Sequence, residues 1–174
     1  MHHHLTEKRV AVLAANFYED TELWVPYYRL MEEGAQVDIV AAKRGTYTSK
    51  YGYPVEATVE AKEAQAATYD AVVIPGGYAP DHMRRSPELV DFVRAMHDGG
   101  KVVAAICHAG WMLVSAGILQ GKTVTSFFAI KDDMVNAGAA WVDKEVVVDG
   151  TLITSRTPAD LPAFCRELVR ALEA

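Results

Sequence analysis

The sequence predicts an α/β fold in which helices cover both faces of a parallel, doubly wound sheet. Strand-like and helix-like segments alternate along the whole chain, which is the pattern that such sheets produce. The strand-like runs are short and continuously apolar, as expected for strands buried on both faces. A length of 174 residues with 51% hydrophobic and 23% charged residues fits one domain spanning residues 1–174.

The first half of the chain shows this alternation clearly. A helix is predicted over 19–33, because apolar side chains between Leu23 and Met31 recur at helical spacing and Gly34 follows them. The segment 46–67 does not fit the alternation, and we expect either a small hairpin or an excursion used for subunit contact. Continuous apolar runs predict three strands, over residues 10–15, 37–42 and 69–74.

The second half continues the alternation. Ser86 and Pro87 are a typical N-cap and first helical residue, and they predict a helix that runs to His97. Asp149-Gly150 predicts a hairpin turn. Further elements are expected as a strand over 102–106, a helix ending at Gly117, a short strand around Val124, a helical turn over 130–136 and a final helix from Pro158.

Composition limits the classes of function. The net charge of −6 argues against a nucleic-acid partner, and no apolar stretch approaches the roughly 18 residues that span a membrane. The start lacks the features of a signal peptide, and two cysteines do not make a disulfide framework. We therefore expect a cytoplasmic protein. Residues 1–7, which include three histidines, are expected to be disordered or tag-derived.

Cys107 is the most informative residue of the chain. It follows the apolar run 102–106 directly and precedes a helical pattern, so it is predicted at a sharp turn between a buried strand and a helix. Free N–H groups and the partial positive charge of a helix start favour a thiolate, so we expect a reactive and acidic thiol. The arrangement parallels the nucleophile elbow of serine hydrolases. The alternative is an inert core cysteine.

Suggestive residues also follow two other predicted strands. Glu19 and Asp20 come after the first, and Gly76-Gly77 come after the third, whereas His108 adjoins Cys107. Ligands of open α/β sheets bind at this edge. Each feature also has a plain structural explanation: complementing a helix dipole, making a tight turn, or lying in solvent. Taken together, they predict an active site at the carboxyl edge of the sheet.

No cofactor or metal is predicted. Gly76-Gly77 lacks the spacing of a dinucleotide or phosphate-binding fingerprint. His82 and His97 have no partners at metal-ligand spacing.

From Val10 to about Leu172 the chain resembles the PfpI intracellular-protease family, within the superfamily that includes the parkinsonism-associated deglycase. This resemblance implies a flavodoxin-like three-layer sandwich. It is carried by ANFYEDTEL at residues 15–23, VIPGG at 73–77, AICH at 105–108, IKDDMVNAG at 130–138 and SRTPADL at 155–161.

The resemblance also implies roles for individual residues. Cys107 would be the nucleophile, and protonated Glu19 would hydrogen-bond its sulfur. In a peptidase, His108 would be the base and Asp81 of a neighbouring subunit would orient it. Asp81 stands where many relatives have the longer Glu. The oxyanion hole is expected from Gly76, Gly77 and the N–H of His108, and the substrate pocket from Tyr18, Trp111 and Phe127.

Three functions remain open at this point. The first is a cofactor-independent stress-response enzyme that acts on reactive carbonyls such as methylglyoxal through a Cys107 thiolate. The second is peptide hydrolysis by Cys107, His108 and Asp81 across a subunit interface. The third is a redox-sensing or chaperone-like stress protein. The resemblance implies that the protein binds itself, as a homodimer at minimum and a hexamer at most, besides a small carbonyl or peptide substrate.

Overall fold

The computed structural model describes residues 5–174, and a seven-stranded sheet lies at its centre. Every neighbouring pair of strands is parallel except the pair at one edge, a hairpin. This confirms the mostly parallel sheet that the sequence predicts. The spatial order is β10 (Val146–Asp149), β11 (Leu152–Ser155), β7 (Val102–Ile106), β6 (Ala71–Ile74), β1 (Arg9–Leu13), β2 (Gln36–Ala41) and β5 (Val59–Glu60).

Helices cover the sheet in two groups. The helices are α1 (Asp20–Glu32), α2 (Ala79–Met83), α3 (Pro87–Asp98), α4 (Gly110–Ala116), α5 (Lys131–Asn136) and α6 (Leu161–Glu173). Helix α1 packs on α6, and α3 packs on α4. The chain moves from β1 to β2 in one direction and from β6 to β7 in the other. Because such crossovers are right-handed, α1 and α3 lie on opposite faces.

The end of α3 shows how local sequence sets an element boundary. The Ser86 side chain accepts a hydrogen bond from the N–H of Leu89 at 3.4 Å, and Pro87 occupies the first helical position. Leu89, Val93 and Met96 then point into the core. The predicted N-cap and helix are therefore present.

Two short pairs of strands lie outside the central sheet. Strands β3 (Gly45–Thr48) and β4 (Pro54–Ala57) form an antiparallel hairpin, as one of the two alternatives for residues 46–67 proposed. Strands β8 (Thr123–Val124) and β9 (Ala140–Trp141) pair in parallel. The hairpin connection packs against the start of α1, where the Ser49 hydroxyl donates to Asp20 Oδ1 at 2.7 Å.

Ordered structure begins earlier than the sequence indicates. Leu5 is fully buried, and its N–H donates to the Glu33 carbonyl at 2.9 Å. Residues 5–7 therefore belong to the folded domain, which corrects the expectation of disorder up to residue 7. The part of that expectation that concerns residues 1–4 lies outside the described residues. Among residues 5–174, none of the helices has the length and apolar character needed to cross a membrane.

Three adjacent strands bring the site together. Strands β7, β6 and β1 are neighbours in the sheet and end at Ile106, Ile74 and Leu13. All three end residues are fully buried. Since the strands are parallel, the segments that follow them meet at one edge of the sheet.

Candidate active site

Cys107 sits on a strained turn directly after β7. Its φ is +63°, in the left-handed region that non-glycine residues rarely adopt, and residues Cys107–Ala109 form a single 3-10 turn before α4. Such a conformation costs of order 1–3 kcal/mol and persists where the surrounding structure imposes it. The residue is 9% exposed and lines a cavity. The turn is the strand-to-helix bend that the sequence predicts.

Two backbone N–H groups hydrogen-bond the Cys107 sulfur, those of Gly77 and His108. Gly77 has a φ of +75°, and a Cβ at this position would lie 2.5 Å from the Phe17 carbonyl oxygen. Only glycine therefore allows this approach of the turn to the strand end. The two N–H groups are placed to stabilise negative charge next to the sulfur, the chemistry expected of an oxyanion hole.

The carboxyl group next to the sulfur belongs to Glu22, which sequence reasoning missed. Glu22 is fully buried on α1 and interacts with the Cys107 thiol through a side-chain hydrogen bond. Its Oε2 accepts the N–H of Gly76 at 2.7 Å. The expectation that Glu19 bonds the sulfur is therefore wrong, as is the assignment of the Gly76 N–H to the oxyanion hole. Glu22 is one turn further along α1 than Glu19, and this turn faces the core.

Glu19 instead forms an ion pair within the same cavity. Its Oε2 lies 2.5 Å from Lys50 Nζ, and its Oε1 accepts the Thr21 hydroxyl at 3.1 Å. Lys50 comes from the connection between β3 and β4, where its N–H donates to the Tyr18 carbonyl at 3.0 Å. Sequence reasoning missed Lys50 because the hairpin carries no motif that points to the site.

Burial sets the protonation of the reactive pair. Burial and, after it, the negative charge of Glu22 raise the pKa of the Cys107 thiol to about 12, against the lowering effect of the His108 and Gly77 N–H groups. Burial also raises the pKa of the Glu22 carboxyl to about 8. The expectation of an acidic thiol in the free protein is therefore wrong. It counted the donors of the turn but not the burial or the buried carboxyl.

His108 completes the group around the sulfur. Its Nδ1 lies 3.2 Å from Cys107 Sγ, and its ring stacks on Phe127 at a centroid distance of 4.8 Å. Burial and then the charge of Lys50 lower the pKa of His108. A neutral imidazole at this distance can accept the proton of the thiol.

Three predicted residues lie elsewhere. Tyr18 is fully buried with its hydroxyl donating to the Tyr53 carbonyl at 2.7 Å, so it does not line the cavity. Trp111 packs edge-on against His108 and donates to Asp133 Oδ2 at 2.8 Å, behind the imidazole. Both are corrections to the predicted pocket.

Asp81 does not reach the Cys107 cavity of its own subunit. It lies on α2, is exposed and pairs with Arg85 one turn later. Within residues 5–174 of one chain, no carboxylate hydrogen-bonds to the His108 ring. A shared peptidase triad would need Asp81 of a second subunit.

The cavity itself is small and polar on one side. Its volume is about 410 Å³. Two larger grooves beside α1 lack the combination of a nucleophile, an acid and oxyanion donors. No group of three or more His, Cys, Asp or Glu residues within 5–174 is arranged to hold a metal ion. The cavity is lined by Glu19, Glu22, Lys50, Gly77, Tyr78, Cys107, His108, Phe127, Thr157 and Pro158.

Comparison with known proteins supports the same assignment. Residues 8–171 match the DJ-1/PfpI family. The chain is 48% identical to a deglycase of Pyrococcus horikoshii and 46% identical to the deglycase PfpI of Pyrococcus furiosus, each over 95% of this chain and 99% of the relative. It superposes with a TM-score of 0.94 and 43% identity on a two-domain protein of Anabaena variabilis with DJ-1/ThiJ/PfpI-like and ferritin-like domains. That match covers 95% of this chain and 48% of the other. The chain belongs to the DJ-1/PfpI family.

Proposed function

We propose that this protein is a cofactor-independent cysteine enzyme of the stress response that acts on reactive carbonyls, of the deglycase or glyoxalase type. Relatives that are nearly half identical over almost their whole length bear the name deglycase, and a relative from Bacillus subtilis at 40% identity is named general stress protein 18.

One observation carries the proposal. Cys107 projects from a strained turn, the N–H groups of Gly77 and His108 point at its sulfur, and the protonated Glu22 carboxyl lies beside it. A nucleophile, oxyanion donors and an acid with a pKa near that of the working solution are the parts that carbonyl addition needs.

The first chemical step is addition to the aldehyde of methylglyoxal. His108 Nδ1 accepts the thiol proton as a bond forms between Cys107 Sγ and the aldehyde carbon. The aldehyde oxygen gains negative charge next to the N–H groups of Gly77 and His108, and then takes the proton back from His108. The product is a neutral hemithioacetal.

Rearrangement and hydrolysis follow. His108 removes the remaining proton of the aldehyde carbon while Glu22 donates a proton to the neighbouring ketone oxygen, which forms an enediol. A proton then returns to the former ketone carbon and the other hydroxyl loses one, giving a thioester. Water cleaves the thioester, which releases lactate and restores the Cys107 thiol. One methylglyoxal and one water give one lactic acid, so the reaction needs no redox partner.

The test is lactate formation from methylglyoxal in the absence of glutathione. The native protein is compared with Cys107→Ala and with a matched control, Cys165→Ala, since Cys165 is a buried cysteine of α6 remote from the cavity. We expect lactate from the native protein and the control but not from Cys107→Ala. Equal rates in all three would overturn the proposal.

Peptide hydrolysis is the second candidate, favoured by the 3.2 Å contact between His108 Nδ1 and Cys107 Sγ. This reading requires a homodimer or larger oligomer in which Asp81 of another subunit reaches His108. Peptidase activity should then disappear in a monomeric variant and in Asp81→Asn. A monomer that cleaves peptides as well as the oligomer would exclude the shared triad.

A further inference from the structure

An ammonium group already occupies part of the Cys107 cavity. Glu19 Oε2 lies 2.5 Å from Lys50 Nζ, and both residues line the cavity together with Cys107. The side chain of Glu19 is 11% exposed and that of Lys50 is 34% exposed. The carboxylate therefore forms an acidic spot in the wall, and a cation from the protein's own surface hairpin covers it.

The two partners of this ion pair are held very differently. Glu19 precedes α1, its N–H donates to the Gly76 carbonyl at 3.2 Å, and its carboxylate also accepts the Thr21 hydroxyl at 3.1 Å. The Lys50 ammonium has a flexible four-carbon stem, and besides Glu19 it contacts the ring of Tyr51, at 5.2 Å. Lys50 can therefore swing out of the cavity, whereas Glu19 remains in place.

We infer that Glu19 is a docking site for a cationic group of the substrate and that Lys50 fills this site as an internal, displaceable ligand. The substrates that it selects are carbonyl adducts of cationic amines, in which an ammonium or guanidinium group lies a few bonds from the reacting carbon. Such a group would replace Lys50 Nζ on Glu19 while the carbonyl lies at Cys107. The inference rests on the proposed carbonyl chemistry and adds a specificity-determining residue to it.

The opposite reading would make Lys50 a binding site for anionic substrates. The charges of the wall favour the cation. Glu19 and Glu22 are both anchored by hydrogen bonds, whereas Lys50 is the one cationic side chain among the lining residues and is already paired. Displacing Lys50 with a cation preserves this pairing, but an anion that took Lys50 would leave the buried Glu19 carboxylate without its counter-charge.

The experiment compares three substrates that all give lactate. They are free methylglyoxal, its adduct with Nα-acetylarginine amide, which is cationic, and its adduct with N-acetylcysteine, which is anionic. The proteins are native, Glu19→Gln, Lys50→Gln and a matched control, Glu63→Gln, whose carboxylate pairs with Arg44 at 2.7 Å away from the cavity. The readout is kcat/KM for each adduct divided by kcat/KM for free methylglyoxal.

We expect this ratio for the cationic adduct to fall by about tenfold in Glu19→Gln, the loss of one charge-assisted hydrogen bond. Lys50→Gln should lower KM for the cationic adduct by about two- to fivefold, because the competing ion pair is gone. Glu63→Gln should behave as native. An unchanged ratio in Glu19→Gln, or a Lys50→Gln variant that loses only the anionic adduct, would overturn the inference.

A binding measurement separates this inference from the proposed function. Nα-acetylarginine amide carries the guanidinium but no carbonyl adduct, so its binding to Cys107→Ala protein can be followed by calorimetry without any turnover. We expect binding that Glu19→Gln abolishes and Lys50→Gln strengthens. If native protein forms no lactate from methylglyoxal, the proposed function fails. If the guanidinium binds equally well with and without the Glu19 carboxylate, the docking site fails.

Discussion

The Glu22 carboxyl and the Cys107 thiol lie in contact beneath the Gly76-Gly77 turn, and the turn serves both of them. The N–H of Gly76 holds Glu22 Oε2 at 2.7 Å, and the N–H of the next residue, Gly77, points at the sulfur. Because burial raises the pKa of both side chains, the resting site holds a neutral acid next to a neutral thiol. Proton transfer, rather than a standing thiolate, is therefore the property that this pair contributes.

Replacing Glu22 by Gln should remove the acid of the reaction while keeping the hydrogen bond from Gly76. We expect kcat for methylglyoxal to fall by ~10²–10⁴-fold, the usual contribution of a general acid. In the native protein kcat should decline as pH rises through about 8, because Glu22 then loses its proton, and this decline should be absent in the variant.

A pH–rate profile measures both effects. The matched control is Glu56→Gln, an exposed carboxylate of β4 that bonds Thr46 at 2.7 Å. A Glu22→Gln variant with kcat within twofold of native would show that the carboxyl does not take part in the rate-limiting step.

Glu22 should also make stability depend on pH. Its folded pKa of about 8 lies above the ordinary value of 4.5, so between these values the folded state binds more protons than the unfolded state. The free energy of unfolding must therefore fall as pH rises from 4.5 to 8. Urea unfolding at pH 5 and pH 8.5 should show Glu22→Gln gaining stability relative to native by on the order of a few kcal/mol at the higher pH. A stability difference that is the same at both pH values would contradict this.

Alkylation of Cys107 should be slow at pH 7 and should increase with pH. The raised pKa leaves little thiolate at neutral pH, and thiolate is the form that reacts with iodoacetamide. Since the charge of Glu22 is one cause of the raised pKa, Glu22→Gln should react faster at pH 8 even though it turns over more slowly. Intact mass in a Cys165→Ala background would measure the rate. Slower alkylation of Glu22→Gln than of native would refute the coupling.

Gly76→Ala should damage the site directly. A Cβ at this position would lie 2.5 Å from Glu22 Oε2 and 2.8 Å from Cys107 Cβ. We expect a loss of ~1–3 kcal/mol in unfolding free energy, the usual cost of overpacking, together with a loss of turnover. The control is Gly121→Asn, at a φ of +74° with open space around it, which Asn tolerates. Denaturant unfolding that shows equal stability for both variants would contradict the steric argument.

Regular elements of the fold were predictable because local sequence controls them. The strand Val102–Ile106 agrees with the apolar run at every residue, and the Ser86-Pro87 pair marks the start of α3 correctly. By contrast, the N-terminal boundary was missed. Leu5 is anchored by a hydrogen bond to the end of α1, nearly thirty residues away in sequence, and no local pattern records such a contact.

The functional site was predictable in part. Cys107, His108 and Gly77 were found because a nucleophile at a strand-to-helix turn and a glycine pair are signals in the chain itself. Glu22 carried a usable signal that was overlooked. It shares the buried face of α1 with Pro26 and Leu30, at spacings of four residues, and a carboxyl on an apolar stripe needs a reason to be there.

The sequence by itself determined the order of strands and helices, the turn that carries Cys107 and the edge of the sheet where the site forms, because short-range periodicity and turn chemistry control these features. Only the tertiary structure decided which of two glutamates meets the sulfur, that Lys50 reaches the cavity and that the thiol is protonated. These depend on how far each side chain is buried and on contacts between segments distant in sequence. Burial and long-range proximity are properties of the packed chain, so they set the pKa values and the ion pairs of the site.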